Sequence, residues 1–525
     1  MRSIIKNACL FTALAFTAAS CHKLDVTIDS KLTPANFPVT IDQAILASGP
    51  VYTKFRPWYP RSYWFLQSLS TDEAILPARG GNWWDGGRYA QLHLHTWNAD
   101  NATMGECWDN ISTTISTANQ ILSTLESAPA GAPAQIVAEV RTMRALSYFF
   151  MMDLWGNIPL VTKFGDTAKV TTTKRADVFA YIESEVKAVL PNLSSTVNNS
   201  TYGRPTKYGA FALLAKMYLN AKEYIGQDRY NDAVAMCDSI IQSKQFALES
   251  NYMAMFNINN GPAIKEFIFA IPYDGTQATE QIFARYYLHR AMRNKYKLPF
   301  TPSGAVSTLP EYYGLYNEAG DVRNAIWLAG KQYNYDGTPI TIATTKVGFD
   351  EDYTGTDKAS PYNFELTLTP NIVIKNPGIF DAGNDEKSWA EGYRCIKFYP
   401  DSTSSSRNQG NDIPVFRYAD ILLMKAEAIL RGATPTLGAS AVSLVNEVRT
   451  VRKASTWSTV TLDNLLAERG REFAWENWRR NDLIRFGKFE GSWGYKTDAN
   501  TTKRLYPVPT YARVLNPLLS QNPGY

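Results

Sequence analysis

The spacing of apolar positions divides the chain into two helical stretches separated by one that lacks the helical period. Residues 40–55 carry a helical pattern after the polar stretch 25–37. Residues 104–125 place Trp108, Ile111, Ile115, Ile121 and Leu122 on one stripe, the mark of an amphipathic helix. Residues 134–155 form a second long pattern through Val140, Leu146 and Met152, and Gly156 and Pro159 stop it. Further helices are predicted over 175–190, ended by Pro191, and over 205–224 and 228–242. Between about 257 and 412 the texture changes. Residues 265–273 read as a strand, and Phe364, Leu366 and Leu368 alternate with Glu365, Thr367 and Thr369. Gly, Asn, Asp and Tyr crowd the remainder, as in Tyr333-Asn334-Tyr335-Asp336-Gly337. Helical patterns return over 415–431, 437–452 and 462–486, and the chain ends in Pro-rich coil.

The pair 205–224 and 228–242 carries a repeat signal. Leu214, Ala215 and Tyr218, then Tyr230, Ala233, Cys237 and Ile240, stand at spacings similar to those of tetratricopeptide repeats. Small residues at the crossing let two helices approach, and large ones fill the gaps beside them. The linking loop is longer than that repeat expects, and a generic helical hairpin is the alternative. The expected fold is mainly α. A tetratricopeptide-like scaffold over about 38–256 and 413–490 displays a loop-rich excursion with short β-strands over 257–412, followed by coil over 491–525. In the last long helix, Glu476 precedes Arg480 by one turn, and Arg471 precedes Trp475 by the same spacing. Each pair would share a helix face, as scaffold ion pairing and ring stacking.

The first residues read as an export signal. Arg2 and Lys6 precede a short apolar run over 8–19, too short to span a bilayer. Ala18, Ala19, Ser20 and Cys21 follow, an order similar to a bacterial lipobox with Ala18 where Leu is preferred. Residues 1–20 are therefore expected to be removed and Cys21 to carry lipid, leaving one domain over 21–525. Ordinary secretory cleavage after Ser20 is the alternative. Removal takes two positive charges from a net +4. Beyond Cys9 and Cys21, only Cys107, Cys237 and Cys395 remain, far apart and without a CxxC pattern. Three thiols make no disulfide framework, and Cys237 reads as buried.

Fifty-three basic and 49 acidic residues nearly balance, and no basic block stands out, which argues against nucleic acid as a partner. Aromatic residues are plentiful, with 13 Trp, 30 Tyr and 24 Phe. The segment 71–97 gathers Asp72, Trp83, Trp84, Asp85 and Arg88. Gly80, Gly81, Gly86 and Gly87 bracket the Trp pair, so the rings are expected on a loop tip. An indole covers the flat C–H face of a sugar, while carboxylates and guanidinium groups bind hydroxyls in fixed directions. Adjacent side chains diverge, so one of Trp83 and Trp84 is expected to pack inward. Asp72-Glu73 invites a hydrolase reading, but neighbouring carboxylates rarely aim across one bond and no second acid is identifiable. His93-x-His95 lacks a third metal ligand. There is no nucleophile-elbow, P-loop or dinucleotide fingerprint, and no cofactor or metal site is expected. In the strand-like run 392–399, Tyr393, Cys395 and Phe398 suit a core, while Arg394 and Lys397 point elsewhere and Arg394 is expected to reach a binding face; Tyr418, heading a helix, reaches either the core or that face.

Four segments together resemble the SusD/RagB family of outer-membrane glycan-binding lipoproteins. The first is Arg144-Ala145-x-x-Tyr148-Phe149, continuing through Trp155-Gly156-Asn157-Ile158-Pro159. The second runs from Arg417-Tyr418-Ala419-Asp420 to Ala426-Glu427. The third joins Glu468-Arg469-Gly470-Arg471-Glu472-Phe473-Ala474 to Trp478-Arg479-Arg480-Asn481-Asp482. The fourth is the tail from Pro507-x-Pro509 to Asn522-Pro523-Gly524-Tyr525. The resemblance implies a cell-surface lipoprotein, anchored in the outer membrane by lipid, that caps a TonB-dependent transporter of the SusC type. Such a protein captures an oligosaccharide or polysaccharide and does no chemistry on it. The resemblance places a glycan-contacting loop near Trp83 and adds weight to Arg394. Capture of peptides or glycoproteins on the same scaffold is the second reading, and glycoside hydrolysis a weaker third.

Overall fold

The computed structural model describes residues 37–128, 131–166, 168–346 and 357–525. The signal segment and Cys21 lie outside them. Helix α1 (Ile41–Phe55) starts at Thr40, whose hydroxyl accepts from the Gln43 amide. Helix α2 (Ala102–Glu126) starts at Asn101, whose side chain accepts from the Thr103 and Met104 amides. Helix α3 (Ala134–Trp155) has the bounds its periodicity predicts and stops at Gly156, where φ is +69°. Helix α4 (Arg175–Val189) follows. The four pack in sequence, α1 on α2, α2 on α3 and α3 on α4.

Helices α5 (Lys207–Leu219) and α6 (Tyr230–Ile241) form the expected pair, with Ala215, Ala233 and Cys237 fully buried. Burial pushes the Cys237 thiol up, so it stays protonated and inert. The expected single helix over 205–224 breaks after Leu219 and resumes as Ala221–Ile225. After the excursion, α7 (Tyr418–Leu430) packs on α6, and α8 (Ala441–Val451) packs on α7. The scaffold therefore resumes where it stopped.

A two-stranded antiparallel sheet closes the neck of the excursion. Strand β1 (Phe267–Ile271) pairs with β2 (Ile413–Arg417), Ile271 opposite Ile413 and Phe267 opposite Arg417. Residues 415–417, expected to begin a helix, belong to this strand. Inside the excursion the strands are short. Thr341–Lys346 pairs with Asp357–Glu365, and the run 392–399 shrinks to Arg394–Cys395 against Trp327–Leu328. Leu366 and Leu368 face the core while Thr367 and Thr369 face solvent, as their alternation predicts. The tail lies over the end of α3. Trp155 Nε1 donates to the Pro507 carbonyl at 3.0 Å, and Asn522 Nδ2 donates to the Trp155 carbonyl at 2.7 Å.

The predicted helix 462–486 is two helices, α9 (Leu462–Phe473) and α10 (Arg479–Arg485). Between them Trp475 and Asn477 adopt left-handed backbone, with φ of +62° and +68°. The break turns Glu476 inward, where Arg417 Nε donates to it at 2.7 Å and Lys397 pairs with it at 2.5 Å. Arg480 instead donates to the Arg504 carbonyl at 2.7 Å, and Arg471 to the Leu315 carbonyl at 2.6 Å. Neither expected one-turn pair forms.

Glu476 is one edge of a buried ion cluster. Glu472 on α9 receives Arg452 and Arg417, each at 2.9 Å, and Arg323 of the excursion at 3.2 Å. Glu266, just before β1, pairs with Arg417 and, at 2.9 Å, with Arg452. Glu468 pairs with Arg323 at 2.7 Å and also with Arg449. All of these side chains are buried. Burial works to raise the Glu472 carboxyl, but Arg452, Arg417 and Arg323 outweigh it and hold the group well below the carboxylate range. Removing one partner from such a cluster leaves buried charge uncompensated, at a cost of about 3–5 kcal/mol. Glu472→Gln should lose about that much stability at pH 7 in urea unfolding. A carboxyl depressed by folding stabilises above its unfolded pKa and ceases to as pH falls through its folded value. The gap between wild type and variant should therefore narrow in acid. A variant as stable as wild type at neutral pH would show that the cluster does not hold the fold together.

Candidate functional site

The loop over 79–88 is built from left-handed backbone. Gly80, Gly81, Trp83, Asp85, Gly86 and Gly87 all have positive φ, +44° at Asp85 and +68° at Trp83. A non-glycine residue rarely adopts φ near +68°, and Trp83 holds it only because its surroundings over-determine the loop. Those surroundings are specific. The Gly80, Gly81 and Gly383 amides donate to the Asp381 carboxylate at 2.9, 2.6 and 2.7 Å. A Cβ on Gly80 would stand 2.7 Å from the Asn384 side chain, so only glycine fits there. Beneath the loop, Arg79 is fully buried and donates to the Ser388 carbonyl and, at 3.1 Å, to the Glu391 carbonyl.

Both rings of the Trp pair are half-buried, so neither is the inward anchor expected of one of them. Trp83 meets Tyr286 edge-on with centroids 5.7 Å apart and lies 6.1 Å from Tyr89. The Arg285 guanidinium sits 5.7 Å from the Trp83 centroid. Trp84 folds over Gly87, where an added Cβ would lie 2.8 Å from the indole. The turn at Gly87 replaces the divergence expected of neighbouring side chains, because it brings backbone under the second ring. Asp85 is exposed at the tip. Arg88 is half-buried, donates to the Tyr89 hydroxyl at 2.7 Å and approaches Glu106 at 3.8 Å.

Three other candidates lie elsewhere. Arg394 is fully buried and donates to the Glu391 carbonyl at 2.9 Å and the Trp389 carbonyl at 2.8 Å. It holds the segment beneath Arg79 and does not reach the surface. Asp72 receives two hydrogen bonds from Arg479, 2.7 and 2.5 Å long, which bind α10 to the start of the segment. Tyr418 is half-buried at the head of α7, and its amide donates to the Glu266 carbonyl at 2.9 Å. Burial, then the Glu447 charge, raises its phenol to about 12. Its place is the α7–α8 side of the scaffold. The residues the reading missed are Asp381, Tyr286 and Arg285. Nothing near them in sequence marks them, because they meet the loop across some 200–300 residues of chain.

Glu73 and the histidines of the segment are structural. Glu73 is buried and accepts from the Ser68 hydroxyl at 2.7 Å. His93 and His95 are buried in and just after the helix Arg88–Leu94, and burial lowers them to about 3 and about 2. Among the described residues no group of His, Cys, Asp and Glu is placed to hold a metal ion. Burial raises Glu73 to about 7. Its folded value exceeds its unfolded one, so ionising it removes stability as pH rises from the ordinary carboxylate range through about 7. Glu73→Gln should therefore exceed wild type by about 3 kcal/mol at pH 8 and match it near pH 4, in urea titrations. Equal stability at both pH values would show that Glu73 ionises without cost.

Comparison with known proteins agrees with this architecture. The SusD family model matches residues 265–525, and a model described as "Starch-binding associating with outer membrane" matches residues 24–219. The chain is 28% identical over 427 residues to the starch-binding protein SusD of Bacteroides thetaiotaomicron, covering 74% of this chain and 72% of that one. A SusD superfamily protein from Parabacteroides distasonis superposes with a TM-score of 0.70 at 19% identity, covering 94% of this chain and 100% of that chain. Surface glycan-binding protein A from Bacteroides thetaiotaomicron, solved with laminarihexaose, superposes with a TM-score of 0.68 at 19% identity, covering 92% and 99%. With an α-helical scaffold, an inserted loop-rich excursion and family models matching both ends, the chain belongs to the SusD family.

Proposed function

We propose that this protein captures an oligosaccharide or polysaccharide at the outer face of the outer membrane and passes it, uncut, to a TonB-dependent transporter. The observation that carries the reading is the Trp83–Trp84 platform. Its two half-exposed rings stand on a loop clamped by Asp381, with Asp85 and Arg88 beside them. A clamped loop has lost its conformational freedom before ligand arrives, so little remains to be lost on binding. Sugar rings present apolar C–H faces that indoles cover and hydroxyls that carboxylates and guanidinium groups bind. The names of the relatives, which bind starch and laminarihexaose, support the same ligand class. The non-enzymatic reading rests on the fate of Asp72 and Glu73, one paired with Arg479 and the other buried against Ser68. Neither is placed to flank a glycosidic bond with a second acid. Lipid on Cys21 would hold the protein at the membrane.

Removing both rings, Trp83→Ala with Trp84→Ala, should weaken binding of the protein's polysaccharide at least about tenfold, with its melting temperature largely kept. A ring covered by a sugar contributes on the order of 1–2 kcal/mol by area, and about 1.4 kcal/mol is tenfold. Normal binding and normal melting would place the site elsewhere. Cys21→Ser should release the protein from membranes on fractionation, and unchanged membrane association would refute the anchor.

A further inference from the structure

Residues 281–310 contain no Asp or Glu and carry Arg285, Arg290, Arg293, Lys295 and Lys297. The segment begins at the Trp83 platform. Arg285, in the short helix Phe283–Tyr287, stands 5.7 Å from the Trp83 ring centroid and 5.9 Å from that of Tyr286. It ends at a second aromatic platform. Lys297 is exposed and sits 4.3 Å from the centroid of Tyr335, itself 65% exposed. Tyr333, 43% exposed, lies 5.8 Å from Lys331.

Among the described residues, most cations between the platforms carry no ion pair. Arg290 pairs with Glu386 at 3.2 Å. Arg293 donates to the Leu298 carbonyl and Lys295 to the Gln332 side-chain oxygen, both neutral acceptors. Arg285 and Lys297 have no ion pair among the described residues. On the other side of the Trp83 platform, Arg61 and Arg88 share one carboxylate, Glu106, at 3.6 and 3.8 Å. A chain of net charge +4 thus gathers five cations and no acid in one segment that runs from the half-buried Trp83 ring to the exposed Tyr335 ring.

Resting on the capture reading above, we propose that the ligand is an anionic polysaccharide, its uronate carboxylates or sulfate esters lying along the 285–297 strip while its rings stack on Trp83 and Tyr335. A ring bearing an acidic group keeps its apolar face for stacking and projects the charge from its edge. A guanidinium beside the indole meets that edge, and bidentate pairing fits both carboxylate and sulfate. A neutral glycan uses the rings but offers the cations only hydroxyls, which leave their charge unmatched. A polyanion without sugar faces uses the cations but not the rings.

The test compares polygalacturonate, carrageenan and starch by affinity electrophoresis and calorimetry on the wild type, on Arg285→Gln with Lys297→Gln, and on Trp83→Ala. Both altered cations are solvent-accessible, and melting curves check the fold. The wild type should hold one charged polymer at least about tenfold more tightly than starch, the carboxylate or sulfate arm naming the group. The double variant should lose about tenfold toward that polymer and change little toward starch, and Trp83→Ala should weaken both. Raising salt from about 0.15 to about 1 M shortens the screening length from about 8 to about 3 Å, so it should weaken the wild type more than the double variant. Starch held tightest, sensitive to Trp83→Ala and indifferent to the double variant, would overturn the anionic inference and leave the capture reading standing. No polysaccharide held at all would overturn both. Double-stranded DNA held as tightly as the charged glycan, with Trp83→Ala without effect, would show a general polyanion patch and overturn the inference too.

Discussion

The Glu472 carboxylate, buried and surrounded by Arg452, Arg417 and Arg323, is the interaction on which the rest of the structure depends. Its partners come from the end of α8, the end of β2 and the excursion, so one acidic group fastens three separate parts of the chain. Helix packing alone does not account for the excursion, which has short two-stranded sheets and few regular elements over some 150 residues. Charges taken from water are costly unless every one is matched. The cluster meets that condition by sharing acids: Glu266 and Glu476 complete Arg417, and Glu468 completes Arg323. Such an arrangement tolerates few alternatives, and that selectivity sets where the excursion sits on the scaffold.

The excursion, once placed, positions the Trp loop. Asp381 belongs to the excursion and the glycines it holds belong to the segment before α2, so the platform exists only where the two meet. Arg79 and Arg394 do the same work from below, saturating carbonyls between Trp389 and Glu391. The surface that would meet a ligand is thus carried by loops but fixed by buried polar bonds. Buried polar bonds thus make a loop-borne surface rigid.

Much of the scaffold was legible in the sequence because its helices are amphipathic. The bounds of α3 follow from periodicity and the stop at Gly156. The break at 474–478 was not legible, since apolar residues continue on both sides and the contact made at the turn, Glu476 with Arg417, is distant in sequence. At the site, the glycines announced a tight loop, but local pattern could not show that a turn at Gly87 would lay Trp84 over backbone. Arg394 was misread because charged residues on short strands ordinarily face water; here the neighbouring chain supplies carbonyl acceptors. The basic strip escaped notice because overall charge is nearly balanced and its cations are spaced apart. Only the fold shows that, among the described residues, most of them have no acidic partner.

We propose that ligand lies on the platform assembled where the Asp381 clamp meets the Trp loop. A crystal structure of the protein with a bound oligosaccharide tests it most directly. Sugar rings should stack on Trp83 or Trp84, with Arg285 within hydrogen-bonding reach of a charged substituent. An oligosaccharide seated instead by Tyr418 on the α7–α8 side of the scaffold, with the Trp loop bare, would contradict it.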